Sequence, residues 1–508
     1  MKERSLVYSA VLLSILSIGY WTAYGFNAYY TFHEYEGSYP YAFWYDIHYP
    51  NIAHGLQFLV FGQHIAPDQL LFLPFYYLYQ SLLTLIFLQS VIVAMTSLCA
   101  FFVIKDLLKD SHLAFVAFLA LLVNPGLNGL NVFDYHPELF IVLFSLLTFY
   151  FFMKKKTKLF FLFLALLLCA MEAATVVGMA IGLGLLIYSI VFAEADKKYF
   201  VGMSLAMIVI SAFALLLYYE GFVYLENAYA SGQYAGLPYI LRAVNFYSMQ
   251  TNRYQSLLSG KTHVLEVFSQ GLVAYVFFAL LTVFLVLGFA TFFDPLIAIV
   301  MSLPWLIEAF VLNNLTFVLI WYYYMVFGIS GTLIAGIIGL MLMKERKGFL
   351  AKLIAKFKKD AYDSFVEKLA YVTILGMVFF FVALSPIFVY SKNVNNLTQD
   401  FLFQVSPQIR RLDNQLYSVM ALVPRNSSLM TDYFILPHFA DMRYLEPFNS
   451  SQVYFTPKYI LFDFNLNISL NAYMFRQAAE QYLQTHKYRL YARNGTAYLF
   501  ILSNNSTD

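Results

Sequence analysis

The sequence predicts a polytopic α-helical membrane protein of about eleven transmembrane helices, followed by a small C-terminal α/β unit on the outer side of the membrane. Three observations predict it. Hydrophobic residues make up 61% of the 508 and charged residues only 12%, against about 25% charged in a soluble domain. Eleven apolar runs occupy the first 390 residues, and the lysines and arginines sort to alternate connections between them. So little charge cannot coat a soluble surface of this size. A soluble enzyme, a disordered chain and a nucleic-acid binder with a strongly basic face are therefore excluded, and a net charge of +2 implies no acidic or basic partner.

The runs lie at 5–24, 82–104, 113–123, 139–153, 159–170, 174–192, 200–218, 271–291, 295–312, 324–343 and 368–390. A bilayer core takes roughly 20 apolar residues per helix, so the third and fifth are short and read as broken or interfacial helices. Lys2 and Arg4 precede the first run, and no small-residue cleavage site follows it, so it reads as a retained helix. Segments 1–4, 105–111, 154–158, 194–198 and 344–368 hold eighteen of the 31 Lys and Arg. The outward connections of the membrane part hold only Arg242, Arg253 and Lys261, and the remaining ten lie in the tail. The positive-inside rule then puts the N-terminus in the cytoplasm and the tail outside a plasma membrane. In the basic segment 344–359 the apolar residues Phe349, Leu350, Leu353, Ile354 and Phe357 share one helical face, which reads either as a helix on the inner leaflet surface, in contact with membrane lipids, or as a simple positive-inside stop signal.

Eight Asn-x-Ser/Thr acceptors, at Asn314, Asn396, Asn426, Asn449, Asn467, Asn494, Asn504 and Asn505, all fall on the expected outer side. Their one-sidedness points to a glycosylated outer surface, with an archaeal flavour to the composition. Residues 391–508 read as a separate unit. Strands are expected at 428–432, 458–463, 489–492 and 498–502, and a helix at 471–485. Cys99 and Cys169 sit inside apolar runs and read as small hydrophobes.

Polar side chains near a membrane are costly, so their clustering locates the chemistry. The outer loop 26–80 holds His33, Glu34, Glu36, Asp46, His48, His54, His64 and Asp68. Within it, 69–79 reads as an interfacial helix or a re-entrant turn. The outer loop 124–138 packs Asp134, His136 and Glu138 into five residues, and Glu172 lies at the junction of two apolar runs. A third outer loop, 220–268, is aromatic-rich and carries Arg242 and Arg253. Asp46, Asp134 and Glu172 fall at one membrane level and are expected to converge on one outward-facing cavity. Such a group serves as a general base on an acceptor hydroxyl, as a divalent-metal site built from Asp134, His136 and Glu172, or as a polar interface that satisfies itself. Asp294 before Pro295 reads as a helix start, and Glu308 as a helix cap. No nucleotide-binding glycine loop is present, and no zinc-protease or serine-hydrolase motif.

Several segments carry a resemblance: YDIHYPNIAHG at 45–55, GQHIAPDQLLFLPFYYLY at 62–79, NVFDYHPE at 131–138, MEAA at 171–174, and LMTDYFILPHFADMR with KYILFDF in the tail. On these the chain resembles the prokaryotic membrane-protein family known as domain of unknown function 2079, which is placed with the GT-C superfamily of polytopic glycosyltransferases. The resemblance implies a GT-C-like membrane domain at 1–390 and an extracytoplasmic domain at 391–508. It implies transfer of a sugar from a polyprenyl-phosphate donor on the outer face to an acceptor that the sequence does not specify. Asp46 would be the catalytic base; His64, Asp134, His136, Glu138 and Glu172 would bind donor or acceptor; Arg242 or Arg253 would hold lipid phosphate. The chain departs from the family pattern at Asn51, where a second Asp is common, and at Met171 and Ala173, which flank Glu172 in place of charged partners. Those departures keep open a non-catalytic, membrane-anchored surface or assembly protein. The polytopic shape alone keeps open a transporter.

Overall fold

The computed structural model describes residues 3–30, 60–61, 64–79, 81–132, 135–194, 196–230, 273–311, 323–350, 359–384, 407–432, 435–439, 441–442, 444–447, 456–463 and 488–503. Helix α1 is Glu3–Tyr29. A two-residue hairpin, β1 Val60–Phe61 with β2 His64–Ile65, leads through a 3-10 turn, Pro67–Phe72, into α2, Leu73–Leu78. Then follow α3 Leu82–Leu108, α4 Ser111–Leu122, α5 Pro125–Val132, α6 Phe140–Met153, α7 Thr157–Ala170, α8 Glu172–Val191 and α9 Lys197–Ala230. Helices α10 Val273–Phe284, α11 Pro295–Met301, α12 Leu303–Leu306, α13 Val326–Lys344 and α14 Lys359–Leu384 complete the membrane part.

Among the described residues five helices are long and apolar enough to cross a bilayer: α1, α3, α8, α9 and α13. A sixth forms if α4 and α5, bent by 42°, count as one span. The exact count of eleven spans is therefore not confirmed among the described residues, and two of the expected runs are interrupted. The run at 271–291 stops at Phe284, continues as a 3-10 turn over Gly288–Phe293, and is broken at Gly288, whose φ is +61°. The run at 295–312 divides into α11, α12 and a π-helical turn, Ile307–Val311. Pro304 follows the Ser302 break, and proline at a helix start supplies no backbone donor to a preceding turn. Asp294 does begin a helix: its Oδ1 accepts from the Ile297 amide at 3.2 Å. Glu308 falls in the π turn instead of at a cap. The loop expected at 124–138 is mostly α5, all eight residues of which are buried.

Helix α13 is the pillar of the bundle. Ninety-four per cent of its apolar window is buried, and it packs against α3, α5, α6, α8, α11 and the Gly288–Phe293 turn. Its small residues Gly331, Ala335 and Gly339 recur every four positions, the spacing that lets helix backbones approach in a membrane. A Cβ at Gly331 would meet the Met301 carbonyl, and one at Gly339 the Ala290 carbonyl. The interrupted segments thus lie backbone-to-backbone on this helix.

Ion pairs tie the basic connections together at one end of the bundle. Lys105 meets Glu3 at 2.7 Å, Lys154 meets Asp106 at 2.5 Å, Lys347 meets Glu194 at 3.2 Å, and Lys155 pairs with Asp196. Lys344 donates to the Leu108 carbonyl at 2.7 Å. The segments expected on the cytoplasmic side therefore share one end. At the other end, Tyr29 of α1 stacks on His438 of the C-terminal unit, with ring centroids 4.1 Å apart.

That unit is a five-stranded sheet in the order β4-β3-β5-β7-β6: β3 Ser428–Thr431, β4 Tyr444–Pro447, β5 Tyr459–Asp463, β6 Tyr488–Asn494 and β7 Ala497–Leu502. β3 runs parallel to β4 and β5, whereas β7 is antiparallel to β5 and β6. Helix α15, Pro407–Met420, covers β6 and β7 with Leu416 and Val419 buried. Four of the strands lie where the apolar alternation predicts them. β4 and α15 have no such signal, because α15 is largely polar and carries one apolar stripe. The helix expected at 471–485 lies outside the described residues. Of the glycosylation acceptors, Asn426 and Asn494 are exposed, and Asn494 Nδ2 donates to Ser418 Oγ at 2.8 Å. Asn314, Asn396, Asn449, Asn467, Asn504 and Asn505 lie outside the described residues.

The close approach on α13 gives a direct test. Gly331→Ala should destabilise the protein by about 1–3 kcal/mol through overpacking against backbone that has no rotamer to yield. Gly376→Ala on α14, where nothing lies within 4 Å, should be neutral or slightly stabilising. Thermal unfolding of the two variants in detergent compares them.

Candidate functional site

Opposite the ion-paired end, three short connections bring buried acidic and aromatic side chains together. The first is the 3-10 turn Pro67–Phe72. Pro67 at its first position fixes the entry φ, and the next residues, Asp68 and Gln69, are 3% and 0% exposed. The turn packs on α7. Phe72 anchors it, with its ring edge-on to Tyr135 at 5.8 Å and 5.2 Å from Phe140.

The second connection runs from α5 to α6. Gln89 of α3 clamps it from both sides: its Oε1 accepts from the His136 amide at 2.9 Å, and its Nε2 donates to the Leu130 carbonyl at 2.5 Å. The chain then enters a 3-10 turn, Pro137–Leu139. This holds His136 Nδ1 3.7 Å from Glu138 Oε2, with the two side chains 2% and 0% exposed. The third connection is Met171, extended between α7 and α8. It sets Glu172 as the first residue of α8, where a carboxylate complements the helix dipole.

These connections are electrostatic neighbours. Burial pushes the Asp68 carboxyl well above the ordinary carboxylate range; the Glu138 charge adds to this, and hydrogen bonds from Gln69 oppose it. Burial likewise raises the Tyr135 phenol, with Asp68 and Glu138 contributing. The Tyr218 hydroxyl of α9, which donates to the Leu168 carbonyl at 2.7 Å, lies within electrostatic reach of Cys169, Glu172 and Asp68. Asp68 Oδ1 accepts from Gln69 Nε2 at 3.0 Å. Its Oδ2 is buried with no hydrogen-bond partner among the described residues. A carboxyl so placed is harder to ionise than an exposed one.

Of the residues expected from sequence, His136 and Glu138 are brought into contact, and Glu172 lies in the same electrostatic neighbourhood. His64 is placed by its backbone in β2, opposite Phe61. Asp46, Asp134, Arg242 and Arg253 lie outside the described residues, so the expected convergence of Asp46, Asp134, His136 and Glu172 has two of its four members there. Among the described residues no group of three or more His, Cys, Asp or Glu is disposed to hold a metal ion; Asp134, one of the three metal candidates, is not among them.

The structure adds Asp68, Gln69, Gln89 and Tyr135. Asp68 stands in the first outer loop among seven other acids and histidines, and nothing in its spacing marks it as buried. The available signal was its place after Pro67 and before the apolar run 70–79, which together tuck the turn inward.

Because its folded-state pKa is raised, Asp68 binds a proton more tightly in the native than in the unfolded chain. Its unfavourable ionisation is absent below about pH 4, the unfolded carboxylate range, and grows as pH rises toward the folded pKa. Asp68→Asn should therefore leave stability at pH 4 nearly unchanged and flatten its decline toward neutral pH. Thermal transitions in detergent between pH 4 and 8 measure this.

No curated protein matches this chain. Among solved structures it is similar to ArnT from Cupriavidus metallidurans bound to undecaprenyl phosphate, at 12% identity and a TM-score of 0.42, over 97% of this chain and 98% of that one. The family model described as a predicted membrane protein (DUF2079) matches residues 28–496. With nearly the whole chain matched, from the end of α1 to the β6–β7 turn, the protein belongs to the DUF2079 family of membrane proteins.

Proposed function

We propose that the protein is a membrane glycosyltransferase that takes its sugar from a polyprenyl-phosphate carrier on the extracytoplasmic face. The observation that carries the reading is Asp68, a buried carboxyl with one oxygen unpartnered among the described residues, beside Tyr135, His136, Glu138 and Glu172. An ionisable group kept at a membrane boundary with a displaced pKa marks a site of chemistry more often than a structural detail. The family resemblance on the segments around Asp46, Asp68, His136 and Glu172 supplies the reaction class.

In this reading the acceptor oxygen attacks the anomeric carbon while the bond from that carbon to the carrier phosphate breaks, inverting the configuration. The acceptor proton passes to Asp46 as general base. Asp68, whose burial favours the protonated form, donates a hydrogen bond to the leaving phosphate, whose growing charge it partly offsets. His136 and Glu138 form a charge-coupled pair that orients the donor, and Glu172 with His64 and Asp134 completes the polar wall. Arg242 and Arg253 hold the lipid phosphate. The N-terminus and the ion-paired end of the bundle face the cytoplasm, an odd number of crossings places the C-terminal sheet outside, and the acceptors in that sheet carry glycans.

Asp46→Asn, Asp68→Leu and Glu138→Gln should each lower transfer by about 10²–10⁴-fold. The readout is accumulation of lipid-linked sugar together with truncated surface glycans in cells carrying each variant. Unchanged lipid-linked sugar and unchanged glycans in all three variants would end the enzymatic reading. Orientation has its own test. A membrane-impermeant thiol reagent should label Asn426→Cys in intact cells and leave Lys156→Cys unlabelled, both positions being exposed; the opposite pattern would invert the topology.

A further inference from the structure

Where the C-terminal sheet meets the membrane part there is a cavity of about 550 Å³, within the span of roughly 300–1,000 Å³ usual for small-ligand clefts. Its wall is aromatic. Tyr29 and Tyr30 close α1, Tyr79 precedes α3, and Tyr417 and His438 come from the C-terminal unit. The Tyr29 hydroxyl donates to the Pro437 carbonyl and the Tyr417 hydroxyl to the Tyr30 carbonyl, each at 3.3 Å. These bonds and the Tyr29–His438 stack hold the Tyr29, Tyr417 and His438 rings in place. Tyr30 and Tyr79 remain 50% and 63% exposed.

The charge of the cavity is balanced. Its one lining cation, among the described residues, is Arg425, whose Nη1 bonds Asp441 Oδ1 at 2.8 Å and the His438 carbonyl at 2.7 Å. Burial pushes the His438 imidazole down to about 3, with Arg425 acting in the same direction, so it is neutral. A phosphate ligand needs cations that are not already paired. A quaternary ammonium suits an aromatic cage, but here it would face the guanidinium. An acyl chain would desolvate the phenols and the Arg425–Asp441 ion pair without adding a hydrogen bond to either.

What fits is a ligand with an apolar C–H face, a polar edge and no net charge. A sugar ring lays its C–H face on an aromatic ring and exchanges hydrogen bonds with phenolic hydroxyls, which both donate and accept. We infer that this seam cavity between the membrane part and the C-terminal sheet is a binding site for a neutral saccharide, held by stacking on Tyr30 and Tyr79. The inference does not rest on the transferase reading, because the cavity is lined by none of the residues given a role there.

The full-length protein in lipid nanodiscs is titrated by calorimetry, with saturation-transfer NMR, against three neutral probes: maltotriose, mannotriose and chitotriose. Choline and inorganic phosphate are the controls. At least one trisaccharide should bind, Tyr79→Ala and Tyr30→Ala should each weaken it at least ten-fold, and Tyr79→Phe should retain most of the affinity. An unchanged thermal transition in the variants shows that the fold is intact, as expected for half-exposed rings. Absence of binding by all three trisaccharides would overturn the inference. So would affinity that is indifferent to both alanine variants, or choline or phosphate displacing the sugar. The readout is equilibrium binding without turnover, so a failed transferase reading leaves this result interpretable, and the reverse also holds.

Discussion

The bundle depends on the approach of backbones along one face of α13. Helices in a bilayer gain little from hiding apolar surface, since lipid is as apolar as leucine. Their cohesion comes from close van der Waals contact, and contact is closest where side chains are absent. Gly331 and Gly339 sit against the carbonyls of Met301 and Ala290. This lets two interrupted segments, each unable to span alone, lie on a helix that is nearly all buried. The breaks at Gly288, Ser302 and the π turn expose backbone groups that lipid cannot satisfy. They are tolerable because protein covers them. Without the glycine face, the segments from Val273 to Val311 would have no surface to seat on, and α8, which packs on α11 as well as on α13, would lose a neighbour.

The same economy shapes the two ends. At one, lysines and acids from five connections pair across the bundle, which fixes how the helices enter. At the other, the connections are short and buried. There Gln89 spends both ends of its amide on the backbone of the α5–α6 connection, holding His136 beside Glu138. Asp68 is stranded by the packing of its turn on α7. The contrast is physical: exposed charges pair with one another in a solvent-screened layer, whereas an acid in a dry turn is harder to ionise. Above that layer, the Tyr29–His438 stack links α1 to the C-terminal sheet and leaves the aromatic cavity in the seam.

Much of this was legible in the chain. Charge sorting alone grouped the five basic segments that the ion pairs of Glu3, Asp106, Glu194 and Asp196 join at one end. Alternation of apolar residues located β3, β5, β6 and β7, and Asp294 announced the start of α11. The buried acids were less legible. His136 and Glu138 stood out by density in five residues, but Asp68 shared its loop with many similar side chains. Burial is a property of what packs on a residue, here α7 from ninety positions further along the chain. Runs of apolar residues also misled at 271–291 and 295–312, which read as spans, because composition records hydrophobicity and not the turn that a single Gly288 imposes.

What the sequence by itself determined is therefore the membrane environment of the chain. Transfer free energies of side chains are local quantities, so composition, run length and the placement of Lys and Arg suffice for a multi-pass protein with a separate polar tail. What only the tertiary structure decided is which runs are continuous helices and which acids are buried together. It also decided that tyrosines from α1, the α3 entry and the C-terminal helix line one cavity. Those outcomes depend on contacts between residues hundreds of positions apart, such as Tyr29 with His438, and no local free energy encodes them.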